Sequence, residues 1–301
     1  MTDFGRVIAP VLTPFGASGE IDAGRFIDHA KWLLAEGCTA LAPFGTTSEA
    51  NSLSIAERKV LLISLLAAGI DPGQLMPGTG LCSASETADL TRQAVDLGCA
   101  AVLMLPPFFY KGVSDEGLFR HFAQVIERVG DHRLRVYLYH IPPLTQIGFS
   151  IPLIERLRRD FPGVVVGLKD SSGDFAHTKS LIGALPGFHV YSGSDVTLLD
   201  NLRLGGAGCI SATANVNARM LRQIADAADA TVAGQLQLRA TAIREEIQRL
   251  PLIAATKAII AHRLKDPAWA LPRPPLDALP ATGAQALIVK LEGELGLPLT
   301  A

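Results

Sequence analysis

Eight short apolar runs, each followed by a longer stretch of helical periodicity, succeed one another between Val7 and Ala228. The runs are Val7–Leu12, Ala40–Pro43, Leu75–Gly78, Ala100–Leu105, Arg135–Tyr139, Val164–Leu168, His189–Tyr191 and Cys209–Ser211. Between and after them the spacing predicts helices over Ala23–Glu36, Ala56–Ala68, Glu86–Leu97, Glu116–Val129, Pro152–Arg159, Phe175–Ala184, Val196–Leu204 and Ala218–Ala228. Such alternation specifies a parallel sheet with right-handed crossovers. Eight units in about 220 residues fit a closed (β/α)8 TIM barrel better than an open doubly wound sheet. After about residue 225 the strand signals stop. A helical pattern continues to Lys265, prolines interrupt it from Pro267 to Pro280, and a last helix is predicted over Gly283–Leu295. The chain therefore reads as an α/β barrel over residues 1–224 with a helical C-terminal region over 225–301.

Composition narrows the function. The chain is 49% hydrophobic and 19% charged, enough apolar residue for a sizeable core. A net charge of -2 gives no electrostatic reason to expect nucleic acid or an anionic membrane as partner. The N-terminus lacks the basic region and apolar stretch of a signal peptide, and the longest aliphatic run, Val60 to Ile70, is too short to span a bilayer. Cys38, Cys82, Cys99 and Cys209 are scattered without a C-x-x-C pair, as expected of reduced core residues in a cytoplasmic protein.

In such a barrel the chemistry belongs at the C-terminal ends of the strands. There, Lys169 closes the run Val164-Val165-Val166-Gly167-Leu168. Lysine is rarely buried, and desolvation favours its neutral, nucleophilic amine, which condenses with a carbonyl. The plainer reading is a lysine that snorkels to solvent or pairs with Asp170. Other strand ends supply Gly45-Thr46-Thr47-Ser48-Glu49, Pro106-Pro107-Phe108-Phe109-Tyr110, Tyr139-His140-Ile141-Pro142, Ser192-Gly193-Ser194-Asp195 and Ser211-Ala212-Thr213-Ala214-Asn215. Each has its own plain reading: Thr46 and Thr47 as helix caps, Tyr139 as a core tyrosine, Ser192–Asp195 as a turn. Their shared register at one rim favours a site. Gly205-Gly206-Ala207-Gly208 precedes its strand and so lies on the wrong rim for a phosphate loop.

Five segments, Gly45–Glu49, Tyr139–Pro142, Gly167–Asp170, Ser192–Asp195 and Gly208–Asn215, resemble in order and spacing the dihydrodipicolinate synthase and N-acetylneuraminate lyase superfamily. These are class I, pyruvate-handling aldolases. The resemblance implies that Lys169 forms an imine with pyruvate or another 2-oxo acid. Tyr139 would shuttle protons, Thr46 and Thr47 would bind the carboxylate, and Thr47 would hydrogen-bond the tyrosine. Gly193 and Ile210 would line the pocket through their carbonyls. Tyr110, or Phe109 by ungapped counting, would reach into a neighbouring subunit of a dimer or tetramer. No metal or organic cofactor is implied, and the seven histidines show no ligand spacing.

Synthases of the lysine pathway carry an arginine five residues after the tyrosine; here that position is Leu144. Leucine cannot replace a bidentate guanidinium. Pro143-Leu144-Thr145 looks more like the sugar-acid aldolases. The sequence thus points to a lyase that makes or breaks a C–C bond, or dehydrates, a 2-oxo-3-deoxy sugar acid, with an aldehyde as the other partner. The alternatives are 4-hydroxy-tetrahydrodipicolinate synthase, joining pyruvate to aspartate semialdehyde, and a non-catalytic 2-oxo acid binding protein on the same scaffold.

Overall fold

A computed structural model describes residues 4–299. Seven strands form one sheet: β1 (Val7–Ala9), β2 (Ala40–Leu41), β3 (Val102–Met104), β4 (Val136–His140), β5 (Val165–Asp170), β6 (His189–Ser192) and β7 (Gly208–Ile210). Their order is β2-β1-β7-β6-β5-β4-β3, and every pairing is parallel. The Leu75–Gly78 stretch closes the ring, with bridges from Leu75 to Leu41 and from Gly78 to Leu103. Met76 N–H donates to the Leu41 carbonyl at 2.9 Å, and Leu103 N–H to the Pro77 carbonyl at 3.0 Å. Pro77 has no N–H to give, so this predicted strand survives only as bridges. Gly78 permits the close approach: a Cβ there would lie 2.1 Å from the Phe44 carbonyl oxygen.

Helices α1 (Ala23–Ala35), α2 (Ile55–Ala67), α3 (Ala84–Asp96), α4 (Asp115–Val129), the one-turn α5 (Pro142–Thr145), α6 (Ile151–Asp160), α7 (Phe175–Ala184), α8 (Leu198–Arg203) and α9 (Ala214–Asp226) alternate with the strands. Their starts are set by capping side chains. Ser54 accepts from Glu57 N–H while the Glu57 carboxylate accepts from Ser54 N–H, and Asp22, Ser83, Ser114 and Ser150 cap α1, α3, α4 and α6. The predicted helix Val196–Leu204 is a 3-10 turn, Asp195–Thr197, leading into α8; the helix read as Ala218–Ala228 starts at Ala214. Three further helices follow: α10 (Ala230–Gln248), α11 (Leu252–Leu264) and α12 (Ala281–Val289), the last continued by a π turn over Lys290–Glu294. No helix among the described residues is long and apolar enough to cross a membrane.

Two apolar layers follow from the two faces of the strands. Val7, Ala9, Leu41, Val136, Leu138, Val190 and Cys209 face the helices, while Ile8, Ala40, Met76, Leu103, Tyr137, Tyr139, Tyr191 and Ile210 fill the barrel. Cys38 and Cys209 are buried as expected, but Cys82 is exposed, on the loop before α3. The β4–β5 pairing contains a register shift: Val136 pairs with Val165, but Tyr137 pairs with Gly167. Val166 is thus an extra residue that packs against the inner layer, and Leu168 returns to the outer one. Without this bulge, strict alternation from Val165 would turn Lys169 outward. With it, Lys169 pairs with Tyr139 and both face the interior.

Gly167 makes room for the shift. A Cβ there would lie 2.3 Å from the Tyr137 ring and 2.6 Å from the His189 carbonyl oxygen. Gly167→Ala is expected to destabilise the protein by about 1–3 kcal/mol, as overpacking does. Urea unfolding measures this, and unchanged stability would show that the inner layer yields freely.

Candidate active site

Lys169 does not snorkel to solvent: it is buried, with its Nζ 3.2 Å from the Tyr139 hydroxyl and 4.3 Å from the centre of the tyrosine ring. The Tyr139 hydroxyl in turn donates to Thr46 Oγ1 at 3.2 Å. The family resemblance implies that bond for Thr47; the turn points Thr46 at the tyrosine instead. Lys169 also lies inside β5 rather than after it, since the strand predicted to end at Leu168 runs on to Asp170.

Gly45–Glu49 forms a tight turn. Ser48 N–H and Ala50 N–H both donate to the Gly45 carbonyl, and a 3-10 helix, Ala50–Ser52, follows. The N–H groups of Thr46 and Thr47 donate to no acceptor among the described residues. Phe44 and Glu49 flank the turn in the left-handed region, at φ 64° and 57°. That conformation is uncommon for residues other than glycine and needs support from its surroundings. Support comes from a buried ion pair: Lys257 of α11 places its Nζ 2.5 Å from Glu49 Oε1, and Arg273 N–H donates to Glu49 Oε2 at 2.7 Å. Burial lowers the Lys257 amine to about 8, against the pull of Glu49 in the other direction.

The rim encloses a cavity of about 840 Å³. Thr46, Thr47, Tyr139, Lys169 and Gly193 line it, as does Leu144. Ile210 does not line it; its side chain packs inside the barrel beside Tyr139 and Tyr191, and Ala212 reaches the cavity instead. Tyr110 lies outside the cavity as well, 72% exposed next to Phe109 at 71%. The far wall was not foreseen from the sequence. It is built by the C-terminal region, from Arg244 and Gln248 of α10, Pro251–Ala254, and Pro275–Asp277. The signal for Lys257 was present, a lone cation in the apolar stretch Leu252–Ile260, the same kind of anomaly as Lys169.

The histidines are less dispersed in space than in sequence. His140, Asp170 and His177 bring ligand atoms within 4.8 Å of one another, the one set among the described residues that could hold a metal ion. Its groups are already occupied. His177 Nδ1 and Thr178 Oγ1 bond Asp170 Oδ2 at 2.9 and 2.7 Å, Ser172 N–H donates to Oδ1, and the two rings stack 4.5 Å apart at 18°. Burial pushes Asp170 up, but these hydrogen bonds hold it below the usual carboxylate value. His140 Nδ1 accepts from Phe149 N–H at 3.0 Å, which puts the proton of the neutral ring on Nε2. Burial lowers His140 to about 4, outweighing the pull of Asp170.

The sequence matches the profile of the Dihydrodipicolinate synthetase family over residues 3–275. This chain belongs to that family. Its members are lyases and aldolases, and the chain is an enzyme of this class. It is 31% identical to the 4-hydroxy-tetrahydrodipicolinate synthase of Rhizobium meliloti, over 94% of this chain and 96% of the relative. The crystal structure of dihydrodipicolinate synthase from Agrobacterium tumefaciens superposes with a TM-score of 0.89 at 32% identity, covering 95% of this chain and 98% of that one. YagE of E. coli K12, a prophage protein of the same family solved in complex with pyruvate, superposes with a TM-score of 0.88 at 28% identity, covering 98% and 99%. Within the dihydrodipicolinate synthetase family, then, this chain places its lysine, tyrosine and threonine in one hydrogen-bonded line.

Two outcomes are expected. Lys257→Met leaves Glu49 buried and unpaired, at a cost of about 3–5 kcal/mol, which chemical denaturation reads directly. His140 is neutral in the folded protein down to about pH 4, against an ordinary value of 6.5, so the unfolded state takes up its proton first. Stability is therefore fully present above pH 6.5 and falls toward pH 4, with a slope of about 1.4 kcal/mol per pH unit for one proton. His29, buried and lowered to about 3, acts in the same direction. His140→Asn should remove one proton from the measured slope, and an unchanged slope would show that His140 is not held neutral.

Proposed function

We propose that the enzyme forms a Schiff base between Lys169 and a 2-oxo acid derived from pyruvate, and that it is an aldolase or dehydratase of 2-oxo-3-deoxy sugar acids. The observation that carries this reading is the line Lys169 Nζ, Tyr139 hydroxyl, Thr46 Oγ1, with successive separations of 3.2 and 3.2 Å at the cavity wall. The neutral amine attacks the ketone carbon, water leaves, and the protonated imine accepts the electron pair released when a bond at C3 breaks. Tyr139 moves protons between the imine centre and the second reactant, since its hydroxyl already lies between a donor and an acceptor. The unpartnered N–H groups of Thr46 and Thr47 suit the 2-oxo acid carboxylate. Because the imine is itself the electron sink, this chemistry requires no metal or organic cofactor. Gly193 contributes at the cavity wall; Ile210 supports the barrel floor. The exposed pair Phe109–Tyr110 suits a contact with a second subunit, in keeping with a dimer or tetramer.

Several relatives are named 4-hydroxy-tetrahydrodipicolinate synthase, which supports a second reading with aspartate semialdehyde as partner. Leu144 in the cavity wall disfavours it. Incubation with pyruvate and borohydride, followed by intact-mass measurement and peptide mapping, tests the mechanism. An adduct on Lys169, absent in Lys169→Ala, is expected; folded protein without an adduct at saturating pyruvate overturns the reading. Tyr139→Phe should lower turnover by about 10²–10⁴-fold.

A further inference from the structure

Arg244 is a cation in the cavity wall that the imine chemistry does not use. Its side chain is 10% exposed. Nε donates to Gln248 Oε1 at 3.1 Å, and Nη1 to Ser211 Oγ at 3.2 Å. Asp195 stands behind it, with Oδ1 3.6 Å from Nη1, beyond hydrogen-bond distance. That oxygen is already taken up by the hydroxyls of Ser211, at 2.5 Å, and Thr213. Nη2 has no partner among the described residues, so the guanidinium is held in place through Nε and Nη1 with Nη2 left open. Among the described residues, Lys169 and Arg244 are the only lysine or arginine side chains lining the cavity, and the Schiff-base reading commits Lys169 to the ketone. Gln237 fixes α10 over the same loop, donating to the carbonyls of Asp195 and Val196 at 2.9 and 3.1 Å, so Arg244 is not needed to clamp the helix.

We propose that Arg244 is the carboxylate receptor for the far end of the substrate, and that the enzyme selects 2-oxo acids carrying a second carboxylate at that end. A positioned guanidinium with one unpartnered nitrogen can donate to a monoanionic carboxylate. The assignment rests on the Schiff-base reading and deepens it: a sugar acid ionised at both ends is preferred over one ending in a neutral hydroxymethyl group.

The test is borohydride trapping with pyruvate, 2-oxovalerate and 2-oxoglutarate, the last two differing in the terminal group. In the wild-type protein, half-maximal trapping on Lys169 is expected at an at least tenfold lower concentration of 2-oxoglutarate than of 2-oxovalerate, about the effect of one charge-assisted contact. Arg244→Gln should bring that ratio near one, and Arg244→Lys should restore part of it. Asp195→Asn/Arg244→Gln, which leaves no unpaired buried charge, should behave as Arg244→Gln does. Because the readout is a ratio within one protein, a general loss of stability cancels. A ratio near one in the wild type, or an unchanged ratio in the variants, overturns the assignment while leaving the Schiff base intact. No adduct on Lys169 with any of the three acids overturns the Schiff-base reading and this one with it.

Discussion

One extra residue in β5 sets the phase of the whole site. A strand presents alternate residues to opposite faces, so a single insertion reverses every side chain beyond it. The shift at Val166 lets Leu168 face the helices and Lys169 face the interior, opposite Tyr139 in the pairing with β4. The hydrogen bond from the lysine to the tyrosine is a consequence of that register. So is the absence of a side chain at Gly167, where the Tyr137 ring occupies the space. Chemistry and packing therefore share one constraint, and neither can be altered alone.

The second constraint is electrostatic. The turn carrying Thr46 and Thr47 is held by two left-handed residues and ends on a buried carboxylate. Glu49 is tolerable inside the protein because Lys257 meets it there, and Lys257 is tolerable because Glu49 and the Leu271 carbonyl receive its protons. Arg273 continues the anchoring, donating to the Gly19 and Ser52 carbonyls and to Glu57. The helices after the barrel are thus part of the site: they secure the turn on one side and wall the cavity on the other.

Much of this was legible in the sequence because it obeys simple periodicities. The alternation of elements announced the barrel, and the strand-end positions of Thr46, Tyr139, Lys169 and Gly193 announced the rim. What was not legible depended on long-range geometry. Pro77 broke a strand that its neighbours suggested, and the bulge at Val166 has no signature beyond the glycine after it. Whether Thr46 or Thr47 meets the tyrosine is decided by turn conformation, which residue type alone does not specify. His140, Asp170 and His177 come together because one strand end lies beside the next, a proximity that their spacing conceals. Nothing in the spacing around Arg244 marks it; it reaches the cavity because α10 lies over the loop after β6.

The Glu49–Lys257 pair also orders events during synthesis. Glu49 leaves the ribosome early, in the second β/α unit, and its counter-ion follows only when nearly the whole chain has been made. Contacts between such distant parts of a chain form late, after the loop-closure entropy between them has been met. Until α11 docks, the carboxylate has no reason to leave water, and the turn with its two free N–H groups lacks the support that fixes its shape. A nascent barrel can gather its apolar layers strand by strand, but the turn carrying Thr46 and Thr47 matures with the C-terminal helices. The turn thus acquires its shape as one of the last acts of folding, so a chain cut short before α11 lacks the ion pair that holds it.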